Sequence, residues 1–516
     1  MGCWNPFALT RRGAVALTAC LALAATLRGD VLLAPVFTDG VVLQQEKTVP
    51  VWGTAGTGEK IVVTFAGQTR SATTGTDGRW IVLFDPLKAE SQGSDLVATG
   101  PGNAVTIHDA VVGEVWLFAG EATAELSSIS PAEIAASHLP LVRQVRIARQ
   151  GSAAPTASMT TSGWRAAVPS TAGDFNATAY AFARDVHQRL GVPVGIVECS
   201  FANSPLEAWM SPMALASDPA FAVVAERWME MAGTFSSAKA DYDVRISAWN
   251  AAESAARTRG AKAHATWLRQ NARPAEPHGA PGDPWTPAGL FNGMINPVLP
   301  YSIRGVLWWQ GESNAARPSE YRALFSALIT TYRAHFGQGD VPFLWVNLPA
   351  YRLNDPSDLA LAKLREAQTR TLSLPNTGQA IAVDLAPSET NRVPNPLEIG
   401  RRLALLAKHR VYGGVIDDAG PTFASAEREG AGMRVRFNDA SGGLVAQDRP
   451  PDSLELAGSD RVFRPATARI VQDSLLVSSP AVRDPIAVRY AWHNDPDANL
   501  YSGNGLPVAP FRSDDW

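Results

Sequence analysis

Ten consecutive residues gather the groups most able to handle a polar ligand: Gly305-Val306-Leu307-Trp308-Trp309-Gln310-Gly311-Glu312-Ser313-Asn314. The apolar half, Ile303 to Trp309, reads as a short buried strand. It breaks at Gly311 into a segment holding two amides, a carboxylate and a hydroxyl. In α/β sheets ligands sit at the carboxyl ends of strands, so chemistry is expected in this loop. Metal chemistry is not. The eight histidines (108, 138, 187, 264, 278, 335, 409 and 493) show neither His-x-x-x-His spacing nor any Cys/His cluster. Cys199 stands alone outside the first thirty residues and cannot form an internal disulfide. No cofactor and no metal are therefore expected.

The elements that must position this loop follow from the rest of the chain. With 516 residues, 46% hydrophobic and 18% charged, the chain can build two or three cores. A formal net charge of −4 gives no electrostatic reason to bind nucleic acid. Residues 1–29 read as a signal peptide: Arg11-Arg12, then an apolar run from Gly13 to Ala25 that is too short to span a membrane. Export to the periplasm or beyond is expected, with no membrane span. Thr10-Arg11-Arg12 hints at a twin-arginine route, and Leu17-Thr18-Ala19-Cys20 at a lipid anchor on Cys20.

Residues 30–110 alternate in short segments punctuated by Asp39-Gly40 and Asp77-Gly78, the pattern of a small β-sandwich. From Val111 to Tyr412 strands alternate with amphipathic helices, which implies a mostly parallel sheet with helices on both faces. This α/β region is interrupted at about 213–285 by an Ala-, Arg- and Lys-rich helical insertion with a Pro-rich return, read as a wall, a lid or a solvated excursion. Residues 413–516 revert to strands, a C-terminal β-domain.

The opening stretch, with Leu290-Phe291-Asn292-Gly293-Met294-Ile295-Asn296-Pro297 before it, closely resembles the sialate O-acetylesterase family, carbohydrate esterases of the SGNH-hydrolase fold. Asp39 to Gln45, Val49 to Gly53, and the terminal segments Arg489 to Trp492, Asn499 to Tyr501 and Pro510 to Trp516 resemble it too, so the likeness spans nearly the whole mature chain. The resemblance implies an SGNH-hydrolase-like α/β domain flanked by N- and C-terminal β-domains, acting on O-acetylated carbohydrate. Such hydrolysis needs a nucleophile, a base and donors aimed at an oxyanion, each following a sheet strand.

Four loops carry those roles in the family. After Val115 to Phe118 the family reads Gly-Gln-Ser-Asn-Met-Glu, with the serine as nucleophile; here Gly120-Glu121-Ala122-Thr123-Ala124-Glu125 puts Ala122 at that position. After Val197 to Ser200 it has Trp-Gly-Gly-Thr; here Phe201-Ala202-Asn203-Ser204 substitutes both glycines, so the backbone donor at Ala202 is in question. The third loop is intact, and the resemblance makes Asn314 an oxyanion donor. In the fourth, between Asp384 and Gly400, the histidine position falls on Arg392, with Glu389 three residues before and Asn395 three after. Arginine stays protonated and cannot serve as the base.

Three functional readings follow. The first is a lapsed carbohydrate esterase whose pocket still binds an O-acetylated glycan or sialic acid through Gln310, Glu312, Asn314, Arg392, Thr123 and Glu389. Trp116, Trp209, Trp308 and Trp309 are candidates for a stacking face or for core, and Arg392 for pairing with a ligand carboxylate. The second is an active acetylesterase on sialate or polysaccharide. It would use Thr123 or an activated water, with Glu121, Glu125, Glu312 or Glu389 as base. The third is a noncatalytic structural component of a glycan-degrading system. No histidine adjoins any of the four loops in sequence.

Overall fold

The computed structural model describes residues 29–121, 129–353, 355–385, 395–440 and 442–516, the side chain of Arg269 apart. Residues 1–28 of the expected leader, Ala122, Thr123, Glu125, Glu389 and Arg392 lie outside the described residues.

One strand runs through two parts of the fold. Ala104–Gly120 begins with mostly exposed residues and is continuously buried from Ala110 onward. Its first half pairs antiparallel with Glu90–Thr99, in a sheet that includes Lys60–Phe65 and Gln68–Thr73. Its second half enters the central sheet, parallel to Val194–Ser200 on one side and Gly305–Trp309 on the other. The change in burial pattern reports that passage, because a strand at the centre of a helix-covered sheet is apolar on both faces. The expected boundary at 110/111 therefore lies inside one unbroken strand. A second small sheet, Leu32–Leu33, Val49–Thr54 and Arg79–Phe84, contributes Val51, Val82 and Phe84 to a common core with Val63 and Phe65.

Across the central sheet the order is Arg165–Ala167, Leu139–Arg146, Val194–Ser200, Ala104–Gly120, Gly305–Trp309, Phe343–Asn347, Thr377–Ile381. Only the Arg165–Ala167 and Leu139–Arg146 pair is antiparallel in this run. Register places Gly305 beside Trp116 and Trp308 beside Ala119, so Trp116 and Trp308 point to opposite faces. Trp116 meets Phe182 of helix Ala177–Leu190 at 5.0 Å between ring centres, and Trp308 meets Phe325 of helix Pro318–Phe336 at 6.2 Å. Helices thus cover both faces, one packing with Pro396–Arg410 and the other with Ala360–Arg370. Both long covering helices stop as their sequences require, at Gly191 and Gly337 in left-handed conformation.

The insertion is a helical hairpin, Ala222–Arg257 and Ala261–Gln270, joined by Trp249 against Trp267 at 5.4 Å. The longer helix buries only Val224, Tyr242 and Ala256, so most of it is a solvated excursion. The C-terminal region is a seven-stranded antiparallel sheet, with an apolar cluster including Val435, Leu456, Leu475, Val477 and Tyr490. No helix among the described residues is long and apolar enough to cross a membrane.

Candidate functional site

The loop after Gly305–Trp309 is held from several sides. Gln310 is fully buried: its Nε2 donates to the Asn314 Oδ1 at 2.7 Å and the Ser204 carbonyl at 3.2 Å, while Tyr321 donates to its Oε1 at 2.9 Å. Gly311 turns the chain into the single turn Glu312–Asn314.

Asn314 is 1% exposed, and its partners fix the sense of its amide. Oδ1 accepts from Gln310 Nε2 and, at 2.8 Å, from the Leu206 N–H, while Nδ2 donates to Glu207 Oε2 at 2.7 Å. The amide has two N–H groups, so one remains for a ligand carbonyl or a developing oxyanion. Glu207 is in turn gripped through Oε1 by Arg227 and Arg317, each at 3.1 Å, and Arg227 also forks onto Glu320 at 2.8 Å. Glu207 was not among the site residues expected from the sequence. A carboxylate within the otherwise buried Leu206-Glu207-Ala208-Trp209 run is the signal that it has a partner. Nothing in the insertion's sequence marks Arg227.

Glu121 closes the central strand, its N–H donating to the Trp309 carbonyl at 2.7 Å. Its carboxyl folds back on the neighbouring loop. Oε2 accepts from the N–H groups of Gly311 at 3.3 Å and Ser313 at 3.2 Å, and Oε1 accepts from the Ser313 hydroxyl. Burial, then the Glu312 charge, push its pKa up to about 8. Glu312 is also shifted upward by burial; its Oε1 receives Trp309 Nε1–H at 3.4 Å, and its Oε2 is buried with no hydrogen-bond partner.

On the Phe201–Ser204 loop, Asn203 takes φ of 54°, a left-handed conformation that asparagine tolerates better than most residues with a Cβ. Its carbonyl accepts Trp285 Nε1–H at 2.7 Å, and Ala202 follows the Phe201 N–H that donates to the Gly120 carbonyl at 3.0 Å. Through Trp285 the return of the insertion comes beside this loop. His278 stacks on the Trp285 ring at 4.1 Å and turns Nδ1 to Asp283 at 3.1 Å. One histidine thus stands one side chain away from a site loop, behind Trp285, a placement that sequence adjacency does not show. His493 is brought between Asp358 at 3.1 Å and Glu455 at 3.3 Å.

The four tryptophans are core. Trp116, Trp209 and Trp308 are 0% exposed and Trp309 7%, with Trp209 edge-on to Trp308 at 6.1 Å. None offers a stacking face, because each ring is consumed by neighbouring elements. A cleft of about 510 Å³ opens instead beside the loop, between Glu312, Ser313 and Pro318 on one wall and Leu353, Asp355 and Lys363 on the other.

The fourth loop is bracketed by a buried ion pair. Arg402 forks onto both oxygens of Asp384 at 2.7 Å and donates to the Ile381 carbonyl at 2.6 Å. Asn395 caps helix Pro396–Arg410 by accepting the Glu398 N–H at 3.2 Å. Arg392 and Glu389 fall between these anchors, outside the described residues, as do Ala122 and Thr123 on the first loop. Among the described residues there is no group of three or more His, Cys, Asp or Glu able to hold a metal.

A family profile described as carbohydrate esterase, sialic acid-specific acetylesterase matches residues 284–406, which include the Gln310–Asn314 and Asp384–Arg402 loops. Sialate O-acetylesterase of Rattus norvegicus is 25% identical over 92% of this chain and 92% of its own length; that of Mus musculus is 24% identical over 91% and 92%. The crystal structure of a carbohydrate acetylesterase from Xanthomonas citri superposes with a TM-score of 0.78 and 31% identity, over 94% of this chain and all of that one, 100%. On the site loops, the fold and these likenesses together, the chain belongs to the sialate O-acetylesterase family.

Proposed function

We propose that this is an exported, carbohydrate-binding member of the family in which ester hydrolysis has lapsed, its ligand an O-acetylated glycan or sialic acid. The observation that carries the reading is Ala122, which follows Gly120-Glu121 at the end of the central strand, where the family places its serine. A methyl group cannot attack a carbonyl. Arg392 at the histidine position cannot take a proton, so both halves of the proton-transfer pair are gone. Of the expected binding residues, Gln310 to Asn314 are present and braced, and Asn314 retains one N–H for a ligand carbonyl. The rat relative is named a sialate O-acetylesterase and the Xanthomonas citri structure a carbohydrate acetylesterase, which supports acetylated carbohydrate as the ligand class.

Of the carboxyls named as substitute bases, Glu121 argues the same way, because both its oxygens are spent on the 311–313 backbone and hydroxyl. The test is hydrolysis of a chromogenic acetyl ester by the mature protein beside an Ala122→Ser, Arg392→His double variant. No wild-type turnover, with measurable turnover in the double variant, is expected. Wild-type turnover above a denatured control would instead mean an active enzyme using Thr123 or an activated water. Saturable binding to acetylated glycan is expected in parallel; binding to no sugar at all would leave a structural component of a glycan-degrading system.

A further inference from the structure

We propose that the helical insertion positions the ligand site, and that Arg227 is the positioning residue through which it does so. The proposal rests on the reading of Asn314 as the ligand's donor, on which Arg227 acts through Glu207. Three groups divide the Glu207 carboxylate between them. Arg227 and Arg317 both donate to Oε1, each at 3.1 Å, which turns Oε2 toward the Asn314 amide at 2.7 Å. Glu207 is 4% exposed, so its charge is compensated by these partners and not by water. Arg227 is itself fixed, because its Nη2 donates to both oxygens of Glu320 at 2.8 Å, in the first turn of the helix that follows the site loop. One guanidinium thus ties the insertion to the carboxylate that orients Asn314 and to the helix behind it.

The long helix buries few side chains, but its start is built against the site. Val224 and Arg227 line a small cavity shared with Glu207, Trp285 and Arg317. The insertion's return closes over the same place. Trp285 Nε1–H donates to the Asn203 carbonyl at 2.7 Å, and just beyond it the Ala288 N–H donates to the Glu207 carbonyl at 2.9 Å. Asp283 braces that return by accepting from the N–H groups of Gly279 at 3.0 Å and Trp285 at 2.7 Å. Gly279, at φ of 129°, lets the return lie on the long helix: a Cβ there would stand 2.6 Å from the Met231 carbonyl oxygen. Both ends of the insertion therefore reach the site loops, the helix at Glu207 and the return at Asn203, and a merely solvated excursion needs neither contact. Without Arg227, Arg317 alone holds Oε1, and the carboxylate swings toward it and draws Oε2 off the amide. Lysine at this position keeps the charge but cannot fork across two carboxylates.

The test compares wild type, Arg227→Met and Arg227→Lys as mature proteins labelled with nitrogen-15 asparagine. The Asn314 side-chain amide pair is identified by its absence in Asn314→Asp. One proton of the pair, held by the Glu207 carboxylate, is expected well downfield of the other in wild type. R227M should move it upfield, and R227K should leave it between the two positions. A pair unmoved in R227M would overturn the proposal; should R227M fail to fold, a pair unmoved in R227K would do so. The binding probe is O-acetylated N-acetylneuraminic acid, titrated by calorimetry. Its Kd is expected to rise about fivefold in folded R227M, which an arginine that only braced the insertion would not cause. Equal affinity in wild type and R227M would overturn the proposal too. A wild type that binds no sugar counts against the ligand reading alone, since the amide readout needs no ligand and still decides the role of Arg227.

Discussion

Asn314 is the residue whose geometry says most about the site, because three partners leave its amide a single orientation and a single free N–H. Asn314→Asp removes the donor to Glu207 and sets two carboxylates at hydrogen-bond distance in a buried setting. Glu207 keeps Arg227 and Arg317, so part of the new repulsion is offset. A loss of about 3 kcal/mol is expected, within the range for leaving buried polar or charged groups mispaired. Urea unfolding at neutral pH reads it, and Asn314→Asp should recover part of the loss as pH falls and its new carboxyl protonates. A variant as stable as wild type at all pH values would show that Asn314 is not locked as described. The Glu121 proton makes a second prediction at this scale. Burial and the Glu312 charge push the Glu121 pKa up to about 8 in the folded chain, whereas the unfolded chain titrates in the ordinary carboxylate range. Wild-type stability relative to E121Q should therefore fall as pH rises from that range toward 8 and level off above it. Parallel profiles would contradict the shift.

The central strand is the element on which the site depends, and Gly120 is where it tolerates least change. At φ of 115° a side chain is strained, and a Cβ there would stand 2.4 Å from the Trp309 carbonyl oxygen. Gly120→Ala should force the two strand ends apart and carry Glu121 off the 311–313 loop, at a cost of about 3 kcal/mol or more. Thermal unfolding checks it; an unchanged midpoint would mean the strand ends can part freely. Most elements were legible because their periodicities are strong. Phe182, Val186 and Leu190 with Gly191 announce one helix, Tyr321 to Phe336 with Gly337 another, and alternation announces the β-regions. The continuity of Ala104–Gly120 was not legible, since the change from one-sided to two-sided burial falls at Asp109, a left-handed residue (φ 55°) at an irregularity of the pairing that the strand runs through without ending. Nor was the fate of the tryptophans: a ring near a strand end is core or platform according to which helix lands on it, and that is set by packing far away in sequence. The family loops were readable residue by residue, but Arg227 reaches Glu207 from the insertion's long helix, and His278 lies behind Trp285 on its return, which no spacing reveals.

The whole molecule is tied together by buried polar hubs at both ends of the central sheet. At the amino end, Glu114 of the central strand is 0% exposed and accepts from Gln45, Arg304 and Tyr412, joining the N-terminal β-region to the end of the α/β region. At the carboxyl end the hub is Arg365, 1% exposed, whose guanidinium donates to the carbonyls of Leu348 at 2.8 Å, Pro349 at 2.6 Å, His493 at 2.8 Å and Asn494 at 2.9 Å. Two of these acceptors belong to the α/β region and two to the C-terminal β-region, so one side chain spans the junction. Asn494 reinforces it by accepting the Leu361 N–H at 2.8 Å. Burial pushes the Arg365 pKa down to about 10, still far above neutrality, so it remains a cation near Glu312. Arg365→Met fills similar volume but strands four carbonyls that water reaches poorly, and about 3–5 kcal/mol should be lost. The loss should fall on the junction, because the C-terminal sheet has its own apolar cluster and the central sheet has another. Calorimetry should then resolve two transitions where one is expected of the wild type, and a protease should cut between residues 412 and 421 well below global unfolding. A single transition displaced as a whole would show instead that the two regions fold as one unit without this arginine.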